Sequence, residues 1–322
     1  MSSDYSSQEP RSLAAMCYTQ LNDSQMRDTF LQGKDLYAEI ASKSFNKPYE
    51  DCLEFYLDEN GNKTTETNVE GKERRSQAKK ILLGALYGRG TASVAEQLGC
   101  TIEKAQEIKD SVFKAFPAIK KFEETSMDMA KNLGYVTTVC GTKRRLPELQ
   151  LDEFEFHWAN GVSPNTDILD FTELTEVSDI VPQDIANKYL VKLRHAKVSQ
   201  KQYIISEARQ NGITIIDNGG KIADAQRQVV NSRVQGSAAN LTKLAMIHLN
   251  SDIRLKELGF RLLVPVHDEV IAECPKENAK ECARLLSEIM SKAAEEILKM
   301  PIGCDVTVSQ CWYGEELDLD TL

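Results

Sequence analysis

The sequence predicts an α+β chain, with several helices, a β-hairpin and further short strands. Apolar residues recur at helical spacing over several long stretches. Residues 261–274 hold two β-prone apolar runs facing each other across a short polar tip. The chain has 322 residues, 41% hydrophobic and 27% charged, an ordinary globular composition that allows one large domain or two smaller ones.

Residues 4–19 read as a strand end, a turn and a helix, with Pro10 suited to a first helical position. Residues 35–45 form another helix. The chain then turns polar over 46–71, with Asp58-Glu59-Asn60-Gly61-Asn62 as a loop or hairpin tip. Residues 72–87 are a strong helix pattern stopped by Gly88 and Gly90. Helical patterns continue over 101–116 and 118–133, with Pro117 between them as a breaker. Residues 135–146 are strand-like and 223–250 helical. Ala279, Cys282, Leu286, Ile289, Ala293 and Ile297 mark an amphipathic helix, and 302–308 a last strand. Residues 149–221 differ in character: an acidic first half without periodicity, then Ile213-Thr214-Ile215-Ile216 and the turn Asp217-Asn218-Gly219-Gly220. The expectation there is an insertion of uncertain order, with disorder or decoration favoured for the acidic half.

No apolar run approaches the roughly 18 residues that span a bilayer, so no membrane association is expected. The N-terminus has no basic segment followed by an apolar one, so no secretory signal is read. Eight scattered cysteines form no C-x-x-C pair, and with four histidines a zinc site is not expected. Reduced thiols in a cytoplasmic setting are the simplest reading. The net charge of −10 argues mildly against nucleic-acid binding. That acidity is partly local: residues 149–187 hold nine Asp or Glu and no Lys or Arg, while Lys72-Glu73-Arg74-Arg75 and Lys143-Arg144-Arg145 are basic clusters.

Three segments carry chemistry. The tip of the 261–274 hairpin holds His267-Asp268-Glu269, and adjacent carboxylates between buried strands repel unless a cation lies between them. Alone, this tip fits a solvated acidic turn equally well. Asp4 ends a strand just before a helix start, where it can be held beside another strand's tip. Asp4 with Asp268 could then hold two metals about 3.5–4 Å apart, one activating an attacking hydroxyl and one stabilising a leaving pyrophosphate. Alone, Asp4 reads more readily as a helix-capping acid. Arg75, Lys79, Leu83 and Tyr87 lie four apart and share a helix face. Arg75 and Lys79 make a cationic clamp suited to a triphosphate, and Leu83 and Tyr87 a surface for a base. Alone, an amphipathic helix with solvated basic residues is the commoner case.

Together, and in this order, the segments resemble family A DNA polymerases. Asp4-Tyr5-Ser6-Ser7-Gln8-Glu9-Pro10-Arg11 is similar to motif A, Arg75 to Gly88 to motif B, and Val266-His267-Asp268-Glu269 to motif C. Ala95 to Gly99, Phe116-Pro117, Gly134-Tyr135-Val136, Gly141 to Pro147 and Arg227-x-x-x-Asn231-x-x-x-Gln235-Gly236 also have the family's look. The resemblance covers residues 4–48, 71–148 and 223–322. It implies a palm with a helical fingers subdomain, without thumb or exonuclease domain: palm 1–20 and 223–322, fingers with the return to the palm 21–148, and an insertion at 149–222. It implies template-directed addition of deoxynucleotides to a primer 3′-OH with two Mg²⁺ ions. By resemblance, Asp4 and Asp268 hold the metals, with Glu269 in support. Glu9 packs under the incoming sugar and excludes ribonucleotides. Arg75 and Lys79 bind the triphosphate, with Lys79 also placed to protonate pyrophosphate. Leu83 and Tyr87 line the nascent base-pair pocket, and Arg227, Asn231, Gln235 and His267 touch primer and template. The helix at 72–87 would swing shut over a correctly paired nucleotide.

Three departures matter. Leu83 stands where the family usually has an aromatic residue. Segments 49–70 and 149–222 are extra. The chain starts at motif A, where the family places further parts upstream, so a second polypeptide carrying thumb and N-terminal palm, or a piece of a longer gene, is the expectation. Split or interrupted polymerase genes occur in phages, which would put the chain in a bacterial host's cytoplasm. The rivals are a non-catalytic remnant that binds DNA or a partner, a single-subunit RNA polymerase, and an HD-type phosphohydrolase. Glu9 and the Asp268-Glu269 pair argue against the RNA enzyme, and the histidines at 157, 195 and 248 add no ligand pattern to His267.

Overall fold

The computed structural model describes residues 1–59, 61–158, 181–312 and 314–318. The chain divides into two compact units, residues 1–146 with 227–322, and residues 147–226. The first unit begins with β1 (Ser2–Tyr5), α1 (Gln8–Leu21), α2 (Gln25–Leu31) and α3 (Leu36–Phe45), followed by the hairpin β2 (Phe55–Leu57) and β3 (Lys63–Thr67). It continues through α4 (Val69–Leu86), α5 (Thr91–Leu98), α6 (Ile102–Ala115), α7 (Pro117–Leu133), β4 (Tyr135–Thr137) and β5 (Lys143–Arg145). The second unit holds β6 (Phe154–Trp158), α8 (Gln183–His195), α9 (Val198–Gln210), β7 (Ile213–Asp217) and the start of α10 (Gly219–Ser251). After α10, the first unit closes with α11 (Ile253–Glu257), β8 (Arg261–Val266), β9 (Glu269–Glu273), α12 (Ala279–Leu298) and β10 (Cys304–Thr307).

The main sheet has the antiparallel order β10-β1-β9-β8. The α+β class read from the sequence is therefore the observed one. Side chains alternate across a strand, so Ser3 and Tyr5 enter the buried face while Asp4 points the other way and is exposed. Tyr5 is fixed by its hydroxyl, which donates to the Met290 carbonyl of α12 at 3.0 Å. On α12, Cys282, Leu286, Ile289, Met290 and Ala293 form the buried stripe that covers this face. Each large aliphatic side chain buried there contributes about 1.5–3 kcal/mol before entropy is counted.

The middle of the first unit is organised by α10. The Gln8 amide of α1 donates to the Ala238 carbonyl at 3.1 Å and to the Thr242 hydroxyl at 3.2 Å. Arg233, only 1% exposed, donates to the carbonyl of Thr137 at 3.1 Å and to the side chains of Ser126 and Gln20. Its guanidinium also stacks on Phe122 at 4.4 Å. Burial lowers its pKa to about 10, yet the full set of acceptors keeps the charge from being stranded. These contacts tie α1, α7 and β4 to one helix, and so hold Asp4 and the α10 face in a fixed frame.

Two expectations change in detail. Helix α1 begins at Gln8, after Ser7 in a left-handed conformation, so Pro10 is its third residue. The N–H that proline lacks is still one of the four that a helix start leaves unpaired. Helices α2 and α5 are only 7 and 8 residues long, too short for periodicity to reveal.

The second unit is the larger difference. Instead of uncertain order, its described residues form a compact β-α-α-β arrangement. Strands β6 and β7 pair from Phe154 opposite Asp217 to Trp158 opposite Ile213. Phe154, Trp158, Tyr189, Leu193, Ile204 and Ile213 share one buried core. The core was hidden because its apolar residues are scattered over four short elements far apart in sequence. Most of the acidic stretch, 159–180, and Asn60 of the hairpin tip lie outside the described residues. No helix of the described residues is long and apolar enough to cross a membrane.

Leu193 is fully buried in this core. Its truncation in Leu193→Ala is expected to cost the second unit about 2–4 kcal/mol. Hydrogen exchange checks this: amides of α8, α9 and β7 should lose protection while those of α12 keep theirs.

Candidate active site

Strands β1 and β9 lie side by side, with Ser2 opposite Ile271 and Ser3 opposite Val270. The hairpin from β8 to β9 turns through only His267 and Asp268, because Val266 pairs with Glu269. Such a tight turn needs a positive φ, and His267 supplies it at 57°. The left-handed conformation costs a non-glycine residue on the order of 1 kcal/mol. In return the turn carries the Asp268 carboxyl into hydrogen-bonding reach of Asp4. The Asp4 carboxyl is pushed up to about 6, first by burial among neighbouring groups and then by the charge of Asp268. Glu269 adds a smaller push in the same direction, and a hydrogen bond from the Tyr5 backbone opposes it.

This crowding suits a divalent cation. The donor set is hard oxygen, as Mg²⁺ requires, and a cation would remove the like-charge penalty that the pair now carries. Among the described residues no group of three or more His, Cys, Asp or Glu side chains closes around one point. Two aspartates alone leave most of a cation's shell to other ligands, and Mg²⁺ usually takes those from water and substrate phosphate.

Helix α4 carries the second cluster. Asn68 caps it by accepting from the Gly71 N–H. Ala78, Ile81, Leu82 and Ala85 fill the core, whereas Arg75, Lys79, Leu83 and Tyr87 stay at least partly accessible along one face. Arg75 Nε donates to the Asp35 carboxylate at 2.8 Å, and Arg75 Nη1 lies 3.9 Å from the Glu54 carboxylate. The buried ring of Tyr37 backs both cations, 5.4 Å from the Arg75 guanidinium and 5.7 Å from the Lys79 ammonium. Among the described residues no carboxylate pairs with Lys79. Asp35, Tyr37 and Glu54 were not singled out in the sequence. The N-capping position of Asp35 ahead of α3 was the available signal, since a cap fixes where the next residues point.

At the other end of α4, the Tyr87 hydroxyl donates to Glu9 at 2.7 Å. Burial first, and then Glu9, push the Tyr87 phenol up to about 12, while Gln235 within hydrogen-bonding reach pulls the other way. Gly88 follows with φ +61°, and a Cβ there would lie 2.9 Å from the Arg227 Cα. The end of α4 thus meets α10 on the face that carries Arg227, Asn231 and Gln235. Among the described residues the buried Oδ1 of Asn231 accepts no hydrogen bond. The structure therefore gathers Asp4, Asp268 and Glu269 in one cluster, with His267 in the turn beside them. It gathers Arg75 and Lys79 in a second, and Glu9, Tyr87, Gln235 and Arg227 in a third. Leu83 stands on the α4 face between Lys79 and Tyr87.

A sheet with paired acids, joined to a helix bearing spaced cations, is the arrangement of a nucleotidyl-transfer palm and fingers. The profile of DNA polymerase family A matches residues 1–166 and 187–314, and the chain belongs to that family. It is 28% identical over 311 residues to the thermostable DNA polymerase I of Thermus aquaticus, covering 97% of this chain and 26% of that one. To DNA polymerase I of Geobacillus stearothermophilus it is 27% identical over 310 residues, covering 96% and 25%. To that of Chloroflexus aurantiacus it is 24% identical over 312 residues, covering 97% and 24%. The chain thus spans about a quarter of the length of these relatives. Its fold matches the POL domain of Pol1 from M. smegmatis, solved in complex with DNA primer-template and dNTP. That match has a TM-score of 0.62 and 22% identity, over 97% of this chain and 39% of that one.

The raised Asp4 pKa makes a stability prediction. The folded value of about 6 lies above the ordinary 3.8, so the folded state holds its proton longer than the unfolded state. The penalty is absent below pH 3.8, grows between the two values and is complete above about pH 6. Asp4→Asn should therefore stabilise the metal-free protein at pH 8 by about 1 kcal/mol, allowing for solvent screening. Thermal melts in chelator check this: the variant should melt roughly 2–4 °C higher at pH 8, and at the wild-type temperature at pH 4.

Proposed function

We propose that this chain carries the catalytic centre for template-directed DNA synthesis, adding deoxynucleotides to a primer 3′-OH. The observation that carries the reading is the approach of Asp4, on β1, to Asp268, in the β8–β9 turn: burial first, and then the Asp268 charge, raise the Asp4 pKa to about 6. Acids held together at such a cost in a palm-like sheet are a cation site. Asp4 and Asp268 would hold two Mg²⁺ ions, which supply charge neutralisation to the attacking hydroxyl and the departing pyrophosphate. Glu269 stands beside the pair and adds negative potential that favours the cations.

The other residues bind and position. Arg75 and Lys79 take the triphosphate, and Lys79, which pairs with no carboxylate among the described residues, is placed to protonate the leaving pyrophosphate. Leu83 covers the sugar and base with an aliphatic surface in place of a flat ring. Tyr87 and Glu9, joined at 2.7 Å, form the floor under the sugar, where Glu9 leaves no room for a 2′-hydroxyl. Arg227, Asn231, Gln235 and His267 line the primer-template near its 3′ end. The helix from 72 to 87 closes over a correctly paired nucleotide. In this reading residues 1–20 and 223–322 are palm, 21–148 are fingers with the return to the palm, and 149–222 an added segment. Thumb and N-terminal palm, supplied by a second polypeptide or by a longer chain of which this is a piece, belong to the reading.

Primer extension with Mg²⁺ and dNTPs, on the chain alone and with the upstream neighbour's product, tests this. Extension should appear with the partner and vanish in Asp268→Ala. No extension under either condition would move the reading to a non-catalytic piece that binds DNA or a partner. In the active assembly, Glu9→Ala should raise the ratio of ribonucleotide to deoxyribonucleotide insertion by roughly 10²-fold, the effect of removing a steric clash of about 3 kcal/mol. Single-nucleotide insertion assays would read that ratio directly.

A further inference from the structure

Segment 49–70, which carries none of the polymerase motifs, does not stand apart from the fold. It is fastened to the start of α4 by several bonds. The Asn68 N–H donates to the Glu54 carbonyl at 2.9 Å, and Arg74 Nη1 donates to the Asp51 carbonyl at 2.8 Å. A Cβ at Gly71 would lie 2.1 Å from the Leu53 carbonyl oxygen, so the segment and the helix approach as closely as two backbones can. With motif A and α4 it encloses a cavity of about 430 Å³, whose lining includes Ser7, Arg11, Lys34, Glu54, Lys63 and Arg75. The fold therefore places the β2–β3 hairpin as one wall beside the arginine expected to receive phosphate.

The guanidinium of Arg75 is already occupied. Its Nε edge is taken by Asp35 at 2.8 Å, and its Nη1 faces Glu54 at 3.9 Å. Glu54 itself is shared, because the Lys72 ammonium holds it at 2.8 Å. All three partners of this exchange are half-buried: Arg75 is 24% exposed, Glu54 29% and Asp35 31%. A planar guanidinium grips a phosphate by presenting two parallel donors. Asp35 takes the Nε donor and Glu54 stands at ion-pair distance from Nη1, so a triphosphate gripped by the remaining donors meets the Glu54 charge beside it.

We infer that Glu54 is a built-in competitor for Arg75, standing in for a nucleotide phosphate, so that segment 49–70 sets the affinity for the incoming nucleotide. Lys72 regulates this competition by drawing Glu54 away from Arg75. Glu54 is thus a positioning residue that acts through Arg75, and the inference rests on the proposed role of Arg75 in binding triphosphate. It assigns a function to a part of the chain that carries none of the polymerase motifs.

Equilibrium binding of Mg²⁺–dATP to the full chain tests it, with thermal melts as a control for folding. Glu54→Gln should lower the Kd about 3- to 10-fold, the range for removing one screened, half-buried charge. Glu54→Asp, which keeps the charge, should stay near wild type. Lys72→Met should raise the Kd about 2- to 3-fold, because Glu54 is left to Arg75 alone. In the double variant Glu54→Gln/Lys72→Met, that increase should disappear. If it persists, Lys72 binds phosphate itself and the competition is refuted. An unchanged Kd in Glu54→Gln, or wild-type and Glu54→Gln chains that both fail to bind, would equally overturn the inference. Arg75→Ala separates the two levels. If Arg75→Ala weakens binding while Glu54→Gln changes nothing, only the inference falls; if Arg75→Ala has no effect, the triphosphate reading of Arg75 falls with it. Where turnover is measurable, the Glu54→Gln effect should sit in KM, with kcat unchanged.

Discussion

Asp4 on β1 and Asp268 in the β8–β9 turn are held close together, and burial first, then the Asp268 charge, push the Asp4 carboxyl up to about 6. Water alone would push such groups apart, so the fold must hold them. Asp4 is pinned because Tyr5, the next residue, is buried and bonded to Met290, which fixes the pleat and turns Asp4 outward. Asp268 is pinned because the hairpin turns through two residues, with His267 accepting a left-handed conformation to make the turn. The burial of α12 against the opposite face supplies the stability that these local costs draw on. A carboxylate pair of this kind weakens the empty protein and becomes favourable only when a cation is bound, which is how a catalytic site commonly departs from the most stable arrangement.

A second constraint joins the helical part to the palm. Gly88 lets the end of α4 approach the backbone of Arg227 to a distance that no side chain would permit. The Tyr87–Glu9 hydrogen bond spans from α4 to α1, the helix that follows Asp4 directly. Long-range ties to α10 through Gln8 and Arg233 complete the frame. Asp4, Glu9, Tyr87 and the α10 face are therefore connected by short covalent or hydrogen-bonded paths. Motion of α4 would be felt first at Tyr87 and Glu9.

Much of this was legible in the sequence because strong local patterns coincide with function. The two apolar runs flanking the polar tip in residues 261–274 gave the hairpin, the four-residue spacing from Arg75 to Tyr87 gave the helix face, and the ordered motifs gave the family. The contacts of Arg75 were not legible. They depend on Asp35 and Glu54, which lie 40 and 21 positions away and carry no motif of their own. Tyr37 was hidden for the same reason. The second unit was misjudged because its core is assembled from Phe154, Leu193, Ile204 and Ile213, which lie on four separate elements and meet only in the folded chain. Periodicity reports a segment that buries one face, and it is silent about short elements that share a core only in three dimensions.

The central claim is that Asp4 and Asp268 form a divalent-cation site that serves nucleotide addition. Mn²⁺ titration followed by electron paramagnetic resonance, with dATP present, tests it most directly because it reads the metal without requiring turnover. The account predicts two bound Mn²⁺ per wild-type chain, with at least one lost in Asp4→Asn and in Asp268→Asn while both variants remain folded. Identical Mn²⁺ binding in the wild type and both variants would contradict it, and would leave the crowded aspartates without a function.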